Sequence, residues 1–196
     1  MKSNDYLWPG IASIVVAVGM PFYWLVLAGA ADLSDYTHRL PEGPQLADLV
    51  FVALGILMIY VYMSLRRILH DHYNYHGADL PITLLIITCA LFHVGTLLLD
   101  YVGGQLIPDS FALAAGLLWV FFVVLFGVLD IVLAIMLLKD RTQLSDLFFA
   151  FAIINLVMGI FELTIIFSFT SLVLYPLTLL ILTVAFLRRP REIEFV

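Results

Sequence analysis

Apolar residues fall in six long runs, Leu7 to Ala31, Leu46 to Leu65, Leu80 to Leu99, Phe111 to Leu138, Leu147 to Phe167 and Leu172 to Leu187, parted by short polar stretches. A bilayer core of about 30 Å takes roughly 20 apolar residues as helix, so each run reads as a membrane span. The pattern predicts an all-α, polytopic transmembrane bundle of six spans forming one domain over residues 1–196. The longest polar stretch, Asp32 to Gln45, is too short for a separate soluble domain. Only Ser168 to Ser171 part the last two spans, which predicts a tight helical hairpin, and Pro176 falls in the first turns of the sixth.

The fourth run is the longest. Its 28 residues would make about 42 Å of helix, more than the core requires. Phe111 to Leu118 is therefore expected to project or tilt, with Trp119 at the outer headgroup level where aromatic belts form. Pro108, Asp109 and Ser110 before it supply a breaker and N-cap candidates. Phe111, Leu113 and Leu117 would then form an apolar contact face for another chain.

Composition fixes the solvent. Hydrophobic residues make up 63% of the chain and charged ones 12%, against about 45–50% and about 25% in soluble domains. The nine basic residues are too few and scattered for a nucleic-acid surface, and the net charge is −6. Lys2, Arg66, Arg67, Lys139, Arg141, Arg188, Arg189 and Arg191 all fall at alternate span ends, with Arg39 the exception. The positive-inside bias then puts both termini in the cytoplasm. Asp32, Asp35, Glu42, Asp48, Asp100 and Asp109 fall on the other side. The short loops fit a bacterial inner membrane. Lys2, the apolar run and Ala28-Gly29-Ala30 together resemble a signal peptide. A run of this length exceeds the roughly 7–15 residues of a signal core, so it is read as a retained span.

Candidate chemistry lies where polar groups enter the apolar runs. Asp130 and Glu162 stand in spans that hold no Lys or Arg. A charged group at mid-membrane costs roughly 2.5–3.5 kcal/mol, so such acids normally face protein, a partner or water. Measured from the basic end at about 1.5 Å per residue, Asp130 and Asn155 share a depth of roughly 13 Å, with Thr88 close to it. Glu162 comes out higher, near His93. Asn155, Gly159 and Glu162 share a helix face, as do Cys89, His93, Thr96 and Asp100. Gly127 and Ala134 beside Asp130 are the small residues of a close helix contact. Asp130, Glu162, Asn155, His93 and Thr88 thus make one candidate proton or ion path.

A second cluster, His70-Asp71-His72-Tyr73-Asn74-Tyr75-His76, follows Arg66 and Arg67. Helical i, i+4 spacing would put His72 and His76 on one face as metal ligands, completed by Asp71 or Asp79; otherwise the stretch is an interfacial loop at the headgroups. The single cysteine, Cys89, excludes a disulfide framework and reads as a small buried hydrophobe. No nucleotide-binding, zinc-hydrolase or serine-hydrolase motif occurs, and no cofactor is implied, so an enzyme has little support. Leu54 to Arg67 resembles Phe126 to Lys139, with Gly55 matching Gly127, which suggests duplicated helical hairpins. The expected function is a small channel or a proton- or cation-linked transporter using intramembrane carboxylates. Six short spans enclose little space, which favours a homo-oligomer. The alternative is a non-catalytic membrane subunit or sensor that assembles with partner membrane proteins.

Overall fold

The computed structural model describes residues 6–30, 46–103, 108–164 and 167–188, with side chains outside 27–30 and 99–112. The helices are α1 (Leu7–Ala30), α2 (Leu46–Tyr73), α3 (Asp79–Gly103), α4 (Pro108–Lys139), α5 (Asp146–Leu163) and α6 (Ser171–Leu187). Short 3-10 turns at Arg141–Gln143 and Ser168–Thr170 precede α5 and α6, and no strand occurs among the described residues. All six α-helices are long and apolar enough to cross a membrane, as their composition predicts.

Helix ends depart from the apolar runs where backbone chemistry, rather than hydropathy, sets the limit. α2 continues past Leu65 to Tyr73, because charged side chains do not interrupt backbone hydrogen bonding. It stops where Asn74 takes a left-handed conformation (φ 47°), which Asn tolerates better than most residues. The Asn74 and Tyr75 N–H groups then donate to the His70 and Leu69 carbonyls and close the helix. α4 starts at Pro108, three residues before its apolar run, since proline fits the first turn where its missing N–H costs nothing. α5 ends at Leu163 rather than Phe167, with the Thr164 N–H turning back onto Phe161.

Each helix packs against its neighbours in the chain, and α1 packs against α6, so the six form a closed ring. Neighbours run antiparallel. Gly19 meets Leu54 and Gly10 meets Leu187; Tyr23 stacks on Phe51 and Phe92 meets Phe122. Polar groups secure the closing seam: Ser13 Oγ donates to the Leu179 carbonyl at 2.8 Å, and Thr183 Oγ1 reaches the Gly10 carbonyl at 3.5 Å. Between α4 and α5 the backbones themselves touch. A Cβ on Gly159 would stand 2.6 Å from the Gly127 carbonyl oxygen, and one on Gly127 2.9 Å from the Gly159 oxygen, so only glycine allows this approach. Gly55, which matches Gly127 in sequence, likewise lies where a hairpin partner comes closest: the His93 ring covers it.

The ring has two unlike halves. Arg66, Arg67, Lys139, Arg141 and Arg188 lie at one end, with the α2–α3 and α4–α5 turns. There Leu65, Leu69, Ile82, Leu133, Leu137 and Phe148 are completely enclosed. Tyr75 pins the α2–α3 turn to α4 by donating to the Met136 carbonyl at 2.7 Å. Burial, helped by Asp140 nearby, pushes its phenol up to about 12. Tyr6 joins the start of α1 to this end through its hydrogen bond to Asp71 (3.0 Å) and its stacking on Phe186. The opposite half is hollow.

Candidate functional site

The hollow is a cavity of about 440 Å³ to which all six helices contribute. Its walls are apolar and largely aromatic, with Trp24 from α1, Phe92 from α3, Trp119, Phe122 and Phe126 from α4, and Phe169 before α6. Its polar groups are Asp130, Glu162, His93, Tyr62, Tyr175, Cys89, Ser168 and Ser171, and no Lys or Arg lines it among the described residues. Asp130 lies nearest the basic end, where the cavity gives way to the filled core about nine residues, or ~14 Å, from Lys139. Toward the other end Leu25, Trp119 and Phe169 are exposed.

Local sequence places the two acids. Gly127 and Gly159 draw α4 and α5 together, which brings Asn155, one turn before Gly159, against Asp130, one turn after Gly127. The Asn155 Nδ2 donates to Asp130 Oδ1 at 3.0 Å and to the Asp130 carbonyl at 3.3 Å. Asp130 is 3% exposed, so this amide replaces part of the hydration it has lost. Glu162, on the same face as Asn155 and Gly159, accepts from Ser171 Oγ at 2.9 Å through Oε1. Its other oxygen, Oε2, is buried and has no hydrogen-bond partner among the described residues. Both carboxyl groups line this one cavity, so uptake of a proton or a cation there relieves the repulsion of like charges.

His93 completes the polar set. Its Nδ1 lies 2.8 Å from the Cys89 carbonyl, and because a carbonyl only accepts, Nδ1 carries the hydrogen. Nε2 is then the acceptor of the neutral ring. It too is buried without a partner among the described residues. Phe51 stacks on the ring at 4.3 Å and holds its plane.

Sequence reasoning grouped Asp130, Glu162, Asn155, His93 and Thr88. Asp130, Glu162 and His93 share the cavity, and Asn155 supports Asp130 from behind. Thr88 is buried but lines no part of the cavity, since its side chain points about 100° around α3 from that of Cys89. Tyr62, Tyr175 and Ser171 are cavity residues that spacing did not reveal, because tyrosine and serine occur in membrane helices without special meaning. Pro176 beside Tyr175 and Pro21 beside Met20 were the available signal: both prolines line the cavity. Trp119, expected only as a headgroup anchor, is part of its wall.

The second cluster folds differently from its spacing. α2 ends at Tyr73, so His72 and His76 share no helical face, and the His72 ring lies against Tyr6 instead. His70, His76 and Asp79 come together, each offering a ligand atom within 4.8 Å of the others. Three such donors fit a transition-metal ion, but Asp79 Oδ1 already faces both Arg66 Nε at 3.1 Å and His70 Nε2 at 2.5 Å. An ion-pair knot closing the α2–α3 hairpin accounts for this geometry without a metal.

Of the expected contact face, Leu113 and Leu117 are exposed, whereas the Phe111 side chain lies outside the described residues. Exposed apolar side chains occur on every helix, so these two do not single out a partner site. Comparisons with protein-family models, curated proteins and solved structures gave no match.

Proposed function

We propose that this is an integral membrane protein that moves protons or cations through its acid-lined cavity. One observation carries the reading: six helices from a single chain enclose a cavity with one carboxyl group, Asp130, at its inner end, a second, Glu162, farther out, and no Lys or Arg among the described residues of its lining. Acids in such surroundings are costly unless they serve a path or a ligand. Because one chain closes the ring, the enclosure itself needs no second copy, which removes the reason to require an oligomer.

The described cations, Arg66, Arg67, Lys139, Arg141 and Arg188, share one end, which the positive-inside bias assigns to the cytoplasm together with both termini. The cavity then faces away from the cytoplasm and the filled half is the closed side, an arrangement that favours alternating access over an open channel. Pro21 and Pro176 support movement at the cavity wall. Each removes the helical hydrogen bond to the carbonyl four residues back, at Ala17 and Leu172, and so weakens α1 and α6 where they face the cavity. A bacterial cytoplasmic membrane fits the short connections.

Proteoliposomes with a trapped pH-sensitive dye test this function. Asp130→Asn and Glu162→Gln are expected to abolish proton or cation flux with unchanged thermal unfolding. Wild-type flux in both variants sinks the proposal.

A further inference from the structure

The surplus of hydrogen-bond acceptors in the cavity defines the chemistry of an occupant. Glu162 Oε2 and His93 Nε2 are buried without partners among the described residues. His93 is 6% exposed, and with Nδ1 donating to the Cys89 carbonyl the Nε2 of the neutral ring is left as an acceptor. Asp130 adds a second carboxylate. No Lys or Arg lines the cavity among the described residues. What complements this set is a cation bearing several hydrogens.

The walls narrow the choice further. An inorganic cation such as Na⁺ or Ca²⁺ needs a shell of oxygen ligands, whereas here most of the lining is aromatic or aliphatic. Aromatic faces attract organic cations and bury their apolar bodies. A volume of about 440 Å³ lies in the range of sites for small organic molecules. An anion would meet two carboxyl groups, and a neutral apolar molecule would leave Glu162 Oε2 unsatisfied.

We propose that the cavity binds a protonated primary amine with an aromatic or aliphatic body, its ammonium group at Glu162 and Asp130 and its body against Trp24, Phe92 and Phe126. This rests on the transport reading and names the substrate class for it. Primary amines fit better than quaternary ammonium ions because the unpartnered acceptors require N–H donors, which a trimethylated nitrogen lacks. Exchange with protons follows from the same groups: the acids can hold either protons or the ammonium.

The test uses the full chain in nanodiscs with three probes of one shape: 2-phenylethylamine, its N,N,N-trimethyl analogue and 2-phenylethanol. Trp24 and Trp119 line the cavity, so their fluorescence in a Trp8→Phe background reports occupancy. The amine is expected to bind saturably and at least about tenfold more tightly than either analogue, or about 1.4 kcal/mol. Glu162→Gln should weaken it about tenfold or more, and Glu162→Asp should retain it. Equal binding of the three probes, or undiminished amine binding by Glu162→Gln, overturns the inference. Proteoliposome flux separates the two ideas. Acid-dependent proton flux without amine binding overturns the amine site and leaves transport standing. Selective amine binding without any flux supports the site and overturns transport.

Discussion

The filled and hollow halves of the ring are made by the same six helices, yet they satisfy their polar groups differently. In the filled half the polar side chains have found backbone acceptors: Ser13 donates to Leu179, Ser64 to Tyr60 and Thr183 to Leu179. In the hollow half, His93 Nε2 and Glu162 Oε2 are buried without partners among the described residues. Low dielectric makes such atoms expensive, so a structure that keeps them beside a cavity has placed its cost where a ligand or proton can offset it. The filled half serves stability and the hollow half is available for function.

The sharpest way to break this contrast is to remove side-chain volume from each half. Leu133, fully enclosed in the filled half, should lose about 2–5 kcal/mol as Leu133→Ala. Val123→Ala in the cavity wall should cost less than about 1 kcal/mol, since it only enlarges existing space. Unfolding titrations in mixed micelles measure both, and equal losses would mean that the halves do not differ.

The α4–α5 seam joins the halves and should be nearly as sensitive. Gly159→Ala drives a methyl group toward the Gly127 carbonyl and is expected to cost about 1–3 kcal/mol. A methyl group added at Gly116 would meet nothing within 4 Å among the described residues, so Gly116→Ala should be neutral or gain up to about 1 kcal/mol from helix propensity. A tolerated Gly159→Ala would refute the tight contact that positions Asp130.

Tyr75 sharpens the picture at the filled end. Its phenol is raised from 10.0 to about 12 by burial, so the folded protein holds a proton that the unfolded chain loses first. Stability from this group is complete below about pH 10 and falls as pH rises toward 12. Tyr75→Phe should remove that alkaline slope and cost about 0.5–1.5 kcal/mol at neutral pH through the lost bond to Met136. Thermal unfolding across pH 9–12 is the check, and an unchanged slope would count against a buried phenol.

The smallest effect belongs to the hairpin knot. His70→Ala should destabilise by less than about 1 kcal/mol, because its Asp79 pair is partly exposed, while His72→Ala should change less still. Chemical unfolding of the two variants side by side is the measurement. A larger loss for His72 would restore the helical pairing that the end of α2 at Tyr73 removes.

Hydropathy alone located six helices, because lipid demands that a spanning backbone satisfy its own hydrogen bonds over about 20 apolar residues. Helical periodicity also put Asn155, Gly159 and Glu162 on one face, and rise per residue put Asn155 level with Asp130. These are local quantities that a sequence carries directly. The ends of α2 and α5 depended on backbone turns at Asn74 and Thr164, which leave only weak traces in composition.

Ring closure through α1 and α6 was beyond the sequence, since it depends on contacts between the first and last helices. So were the convergence of His93, Tyr62 and Tyr175 on the cavity that the two acids line, and the replacement of His72 by His70 beside His76. The amino-acid sequence determined that two acids would stand in apolar helices without a cation. Only the tertiary structure decided that they share a cavity, because depth along a helix follows from counting residues whereas the direction a side chain faces in a bundle follows from how all six helices pack.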